Sequence, residues 1–132
     1  NRFIRTRRFE VETKYGRPMF IRISDLKGIR GLIIFALRWI QQKMGIIPID
    51  STSRGYGTAN TSLMFHGDKL LALQEGDAPF EVRALCSGVV ETIGTVDHLA
   101  EGLPGVSAHP KVDRNTGSLY TFGYQVVQKP FV

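Results

Sequence analysis

Three histidines, His66, His98 and His109, are the side chains best suited to bind a metal or move a proton. The intervals between them, 32 and 11 residues, match no short zinc-site spacing. Cys86 is the single cysteine, so the sequence contains no CxxC pair. It also lacks a glycine-rich phosphate loop and a GxSxG nucleophile motif. Residue spacing alone therefore indicates no self-contained catalytic site.

His109 differs from the other two histidines because Pro110 follows it. Proline removes a backbone donor and pushes the preceding residue towards an extended conformation, which can present the imidazole at the end of a strand. His66 precedes an apparent hairpin turn and His98 lies in a polar segment, so both are interpreted as exposed, structural residues. For His109 the residues alone leave two readings open, an ordinary histidine or a ligand whose partners lie outside these residues.

Glu75 follows the strongly apolar run Leu70–Gln74. Its carboxylate is either exposed in the next turn or buried against a partner, and exposure is the default because unpaired buried carboxylates are costly. The sequence leaves both open.

Short apolar runs recur about every ten residues after position 60, which is typical of an antiparallel sandwich, barrel or propeller. The predicted strands are Thr61–Phe65, Leu70–Gln74, Phe80–Leu85, Val89–Ile93 and Ser118–Tyr124. They are too few for a closed structure, so we expect a fragment of a longer chain, in agreement with its start at Asn1 rather than Met. Residues 3–23 are predicted to be extended, with strands at Phe9–Thr13 and Met19–Ile23 on either side of a turn at Gly16–Pro18. Ser24 or Asp25 could cap the helix that follows.

Residues 29–44 have the clearest helical periodicity, with an apolar arc of about 200°. This arc is wider than a helix facing one core needs, and arginines flank it. Gly45 and Pro48 favour an end to the helix here.

The composition is that of a globular protein, with 42% hydrophobic and 22% charged residues in 132. Its net charge is +5, and residues 1–30, with nine basic and three acidic groups, carry +6, while the remaining residues carry −1. Such a basic segment is interpreted as a solvated strand face and loop, and the alternative is contact with an anionic membrane surface. No nucleic-acid-binding motif accompanies it, so we expect no nucleic-acid partner. One cysteine is compatible with a reducing compartment.

Several motifs together resemble the carotenoid cleavage dioxygenases, and they occur in that family's order along nearly the whole chain. The most specific is Ala-His-Pro-Lys-Val-Asp at Ala108–Asp113, and the others are Gly57–Leu63, Leu70–Phe80, Thr116–Gly117 and Phe122–Tyr124.

The resemblance implies an all-β fold, a seven-bladed propeller with helices over one end, of which residues 1–132 would form part. It implies one non-haem Fe(II) per full-length chain, held by four histidines from different blades. His109 matches the first of these ligands, and the other three are expected after Val132. Glu75 matches a glutamate that orients a ligand imidazole, expected to be one other than His109.

The reaction implied is cleavage of a carotenoid C=C bond by O2 to give carbonyl products. Because the substrate is insoluble in water, the resemblance also implies a membrane partner. The excess apolar arc of residues 29–44 agrees, since it suits a helix lying in a bilayer interface. The candidate membrane-contacting residues are Leu32, Ile33, Phe35, Leu37, Trp39 and Ile40. A helix packed fully on protein is the alternative.

The subfamily signals are mixed between 9-cis-epoxycarotenoid dioxygenases, which supply abscisic acid synthesis, and broad-specificity plant enzymes. The expected compartment is accordingly the plastid or the cytosol, with the plastid preferred. A different class of function is a catalytically silent propeller that binds an apolar ligand or a membrane surface, and further histidines elsewhere in the protein would distinguish the two.

Overall fold

The computed structural model describes residues 3–20, 27–46 and 56–123. Two compact units are formed, one by residues 1–10 with 54–132 and the other by residues 11–53. The described helices are α1 (Arg7–Tyr15) and α2 (Gly28–Lys43). The described strands are β1 (Ser62–His66), β2 (Lys69–Leu73), β3 (Phe80–Ala84), β4 (Val90–Thr95), β5 (Lys111–Val112) and β6 (Leu119–Tyr120). The fold is mainly β-sheet accompanied by helices, as the sequence predicted at this level.

Strands β1 to β4 form one antiparallel sheet in sequence order, and β5 pairs with β6 in a separate hairpin. The turn between β1 and β2 consists of Gly67 and Asp68, with φ of 56° and 59°. Positive φ at both central residues matches the twist of a two-residue hairpin. The bounds of β1 to β4 agree with the predicted strands to within one or two residues. Among the described residues, both sheets are open.

Each face of the four-stranded sheet packs against a different part of the first unit. One face forms a core from Ala72, Phe80 and Val82, covered by Ala59. The opposite face forms a core that is completed by residues beyond β4, and its buried members are Leu71, Leu73, Val96 and Ala108. The chain that leads to His109 is thus fixed to the sheet at Ala108.

The prediction of an extended strand at Phe9–Thr13 is wrong, since these residues lie in α1. Thr6 provides the reason: its buried side-chain Oγ1 accepts a hydrogen bond from the Phe9 amide at 3.1 Å, which is the geometry of a helix N-cap. Gly16, with φ of 60°, then ends the helix.

The predicted helix at residues 29–44 is present as α2, in the second unit. In the same unit, the Glu12 carboxylate accepts hydrogen bonds from the amides of Met19 and Phe20, at 3.1 and 3.3 Å. These two residues do not form the predicted strand, whose remainder lies outside the described residues, as do Ser24 and Asp25. No helix in the described ranges is long and apolar enough to cross a membrane.

Candidate functional site

Three segments of the first unit meet beyond the end of β2: the turn after β2, the segment before β5 and the segment after β6. The Val106 amide donates to the Asp77 carbonyl at 3.0 Å, and the Ser107 amide donates to the Phe122 carbonyl at 2.9 Å. The segment before β5 is therefore held on both sides by backbone hydrogen bonds. This arrangement lies directly upstream of His109.

Close backbone approach between these segments requires glycine at position 105. A Cβ on Gly105 would lie 2.7 Å from the Gly76 Cα and 2.5 Å from the Asp77 amide nitrogen. Real side chains do not reach backbone at such distances. Gly105 thus allows the turn after β2, which contains Glu75, to contact the segment that leads to His109.

Glu75 binds the peptide that precedes His109. Its half-buried carboxylate accepts a hydrogen bond from the Ala108 amide at 3.1 Å and a longer one from the Ser107 hydroxyl at 3.4 Å. On the other side of the same residue, the Ser62 hydroxyl of β1 donates to the Ala108 carbonyl. Ala108 is 1% exposed, so its polar groups depend on these partners. We call Glu75, Ser62, Ser107 and Ala108 the Ala108 clamp.

His109 follows the clamp directly, and it is exposed. Its amide donates to the Ser107 hydroxyl at 3.1 Å, so the backbone of His109 belongs to the same hydrogen-bond network. Pro110 restricts that backbone further. His109 is therefore an exposed residue whose backbone is held by hydrogen bonds.

The structure connects Glu75 to Ala108, the residue before His109, whereas His66 and His98 lie in other elements. His66 ends β1 directly before the Gly67–Asp68 turn, as predicted, but it is half-buried, so the prediction that it is exposed was wrong. His98 is exposed, as predicted, but it lies in a short helical turn, Asp97–Ala100. Among the described residues, no group of three His, Cys, Asp or Glu side chains could hold a metal ion. His109 fits Fe(II) as a single nitrogen ligand, and the described residues do not complete a site.

Sequence reasoning missed Ser62, Ser107 and Asp77. The Asp77 carboxylate accepts hydrogen bonds from the amides of Gly57 and Ala78, and thereby ties the loop before β1 to the turn after β2. A local signal for these residues was available in the sequence. Two carboxylates flank Gly76 just after an apolar strand, and a serine directly precedes the Ala-His-Pro motif.

Comparison with known proteins identifies the molecule's relatives. The retinal pigment epithelial membrane protein family matches residues 1–132, which is the whole chain. The chain belongs to this family. The resemblance to carotenoid cleavage dioxygenases found in the sequence is thereby confirmed, because curated relatives in the family carry that name.

Three curated relatives show what this member of the retinal pigment epithelial membrane protein family is similar to. Carotenoid 9,10(9',10')-cleavage dioxygenase 1 of Pisum sativum is 40% identical over 124 residues, covering 94% of this chain and 22% of the relative. A chloroplastic 9-cis-epoxycarotenoid dioxygenase of Arabidopsis thaliana is 40% identical over 130 residues, covering 98% of this chain and 22% of the relative. The probable carotenoid cleavage dioxygenase 4 of the same plant, also chloroplastic, is 33% identical over 133 residues, covering 100% and 22%. The chain thus spans about a fifth of the length of these relatives.

Proposed function

We propose that this chain is part of an Fe(II)-dependent dioxygenase that cleaves a carotenoid C=C bond with O2 to give apocarotenoid carbonyl products. The observation that carries the proposal is the exposed His109 imidazole beside the Ala108 clamp, in a chain whose relatives are named carotenoid cleavage dioxygenases. The whole protein would be a seven-bladed propeller, to which the open sheet β1–β4 contributes one blade.

His109 would supply one of four imidazole ligands to the iron, and the other three would come from other parts of the protein. When bound, the iron would supply the activation of O2 for addition to the polyene. A neutral imidazole leaves the charge of the metal unchanged, in contrast to sites that include a carboxylate ligand.

The contribution of this chain's residues would be to hold that imidazole in place. Glu75 and Ser62 bind the amide and carbonyl of Ala108, so they fix the backbone from which the His109 side chain extends. This differs from the sequence-derived prediction that Glu75 orients another histidine. Both can hold, because a carboxylate has two oxygens, and the contacts here involve Oε1.

The test compares His109→Ala with His98→Ala, an exposed histidine outside the site, in the full-length protein. We expect His109→Ala to lose bound iron and carotenoid cleavage, while His98→Ala keeps both. Iron content by elemental analysis and apocarotenoid formation by chromatography are the measurements. Equal iron and equal cleavage in the two variants would refute the assignment of His109.

Helix α2 would deliver the enzyme to the membrane that holds its substrate. Phe35 and Trp39 are 51% and 55% exposed, and neither is near the proposed iron ligand in the sequence. Burying such side chains in an acyl region contributes about 1.5–3 kcal/mol each. The candidate contact residues Leu32, Ile33, Leu37 and Ile40 are likewise exposed.

Replacing Phe35 with Glu and Trp39 with Gln in the full-length enzyme should weaken liposome binding. Cleavage of carotenoid held in a bilayer should slow more than cleavage of detergent-solubilised substrate, and Tyr120→Gln serves as an exposed aromatic control. An equal loss of both activities, together with a lower melting temperature, would show that α2 packs in the protein core.

Two of the relatives are named chloroplastic, which supports a plastid location over the cytosol.

A further inference from the structure

The second unit contains a groove of about 500 Å³ between the segment after α1 and one side of α2. Arg17 and Arg38 line the groove together with apolar side chains, so the groove has a cationic part and an apolar part. The lining residues are Arg17, Met19, Ile34, Leu37, Arg38, Gln41 and Ile46.

The cationic part is formed by Arg17, which is exposed, and Arg38, which is half-buried. Arg38 donates to the Gln41 side chain and to the Pro18 carbonyl, each at 3.4 Å. Both bonds are long for hydrogen bonds donated by a guanidinium, and they leave most of its five N–H donors available. Planar guanidinium groups bind phosphate oxygens in pairs of parallel hydrogen bonds.

Charge in this unit favours an anionic ligand. None of the groove's lining residues is acidic, and α2 carries Arg30, Arg38 and Lys43 without any acidic residue. The acidic Glu12 side chain, in α1, accepts hydrogen bonds from backbone amides. An anion in the groove therefore meets two cations and no carboxylate among the lining residues.

The apolar part of the groove is continuous with the exposed apolar surface of α2. Leu37 lines the groove and is 55% exposed, and it belongs to the set of side chains proposed to contact the membrane. A free inorganic anion would contact the arginines but would not cover the apolar side chains of Ile34 and Leu37. A ligand with an anionic head and an apolar tail satisfies both parts.

We propose that this groove binds the phosphate of an anionic phospholipid, whose acyl chains lie along the apolar surface of α2. The inference rests on the proposed membrane role of α2 and adds to it a lipid class and two headgroup-binding residues, Arg17 and Arg38. It predicts that the enzyme prefers anionic to zwitterionic bilayers.

The experiment measures binding of the full-length protein to vesicles of phosphatidylcholine, with and without phosphatidylglycerol. Arg17→Gln with Arg38→Gln should lower binding to the anionic vesicles by about 10- to 30-fold and leave binding to the zwitterionic vesicles unchanged. Arg83→Gln with Arg114→Gln removes the same charge from exposed positions in the first unit and is the matched control. Circular dichroism and melting temperature confirm that all variants are folded.

Competition separates a lipid headgroup from free phosphate. Short-chain soluble phosphatidylglycerol should displace the wild-type protein from anionic vesicles, and inorganic phosphate at matched ionic strength should not. Equal displacement by both would overturn the lipid assignment. Equal binding to both vesicle types would overturn the groove proposal while the membrane role of α2 stands, and no binding to either would overturn both.

Discussion

Removing the Glu75 carboxylate is the most direct perturbation of the Ala108 clamp. In Glu75→Ala the Ala108 amide loses the acceptor 3.1 Å away, and Ala108 is 1% exposed, so water does not readily replace it. The Ser62 hydroxyl still holds the Ala108 carbonyl. The peptide before His109 should therefore keep its mean position, but local opening that exposes the Ala108 amide to water should become more frequent.

The size of the effect follows from the cost of a buried, unsatisfied amide, which is about 1–3 kcal/mol. If local opening carries that cost, hydrogen exchange at the Ala108 amide should accelerate by about 5- to 150-fold in Glu75→Ala. Glu75→Gln keeps an acceptor but loses the charge, so a smaller acceleration is expected. The Ser107 hydroxyl, at 3.4 Å, contributes little to either difference.

The assay is hydrogen–deuterium exchange by mass spectrometry on the full-length protein, with iron affinity measured in parallel. Loss of a residue that positions a metal ligand typically costs about 10- to 100-fold in affinity. Glu101→Ala, in which an exposed carboxylate of the same unit is removed, provides the control. Unchanged exchange at Ala108 in Glu75→Ala, relative to this control, would refute the clamp. Faster exchange with unchanged iron affinity would refute its connection to the metal.

Three further predictions concern Gly105, Asp113 and the isolated chain. Gly105→Ala places a Cβ 2.7 Å from the Gly76 Cα, and should cost at least about 1–3 kcal/mol, seen as a lower melting temperature; an unchanged melting point would contradict the close approach. The Asn115 amide, 2.8 Å from the Asp113 carboxylate, holds the pKa of that carboxyl below its ordinary value of 3.8. Because the pKa is lowered in the folded state, the ionised Asp113 stabilises the β5–β6 turn at pH values above its ordinary pKa, and this contribution is lost as the pH falls through the lowered pKa. An NMR titration that gives the ordinary pKa for Asp113 would contradict this prediction. The isolated 132-residue chain should not bind Fe(II) tightly, because it contains only one of the four proposed ligands. An iron titration tests this, and one tightly bound iron per chain would contradict it.

The sequence was most informative where local patterns decide the structure. Strands β1 to β4 follow from short apolar runs separated by turn residues, and α2 follows from its 3.6-residue periodicity. Helix α1 was missed because Phe9 and Val11 alternate with charged residues as a strand would, while the deciding feature was the cap supplied by Thr6. Capping depends on one hydroxyl, which a search for periodicity does not detect.

The candidate site shows a similar limit. The residues alone left the roles of His109 and Glu75 open, and the predicted roles of both came from the resemblance to carotenoid cleavage dioxygenases. Their connection through Ala108 was not predictable, because the hydrogen bond joins residues 33 positions apart. Ser62 is 46 positions from its partner, and a serine in a strand gives no sign that it binds a distant carbonyl.

The edge of the four-stranded sheet bears on how this chain behaves when it is produced alone. In the described residues β1 pairs with β2 on one side, and its outward Leu63 and Phe65 are 65% and 69% exposed. A strand with free backbone groups and apolar side chains is a template for aggregation. Only a small part of the recombinant 132-residue chain should therefore be soluble, and the soluble fraction should be larger for a longer piece of the whole protein.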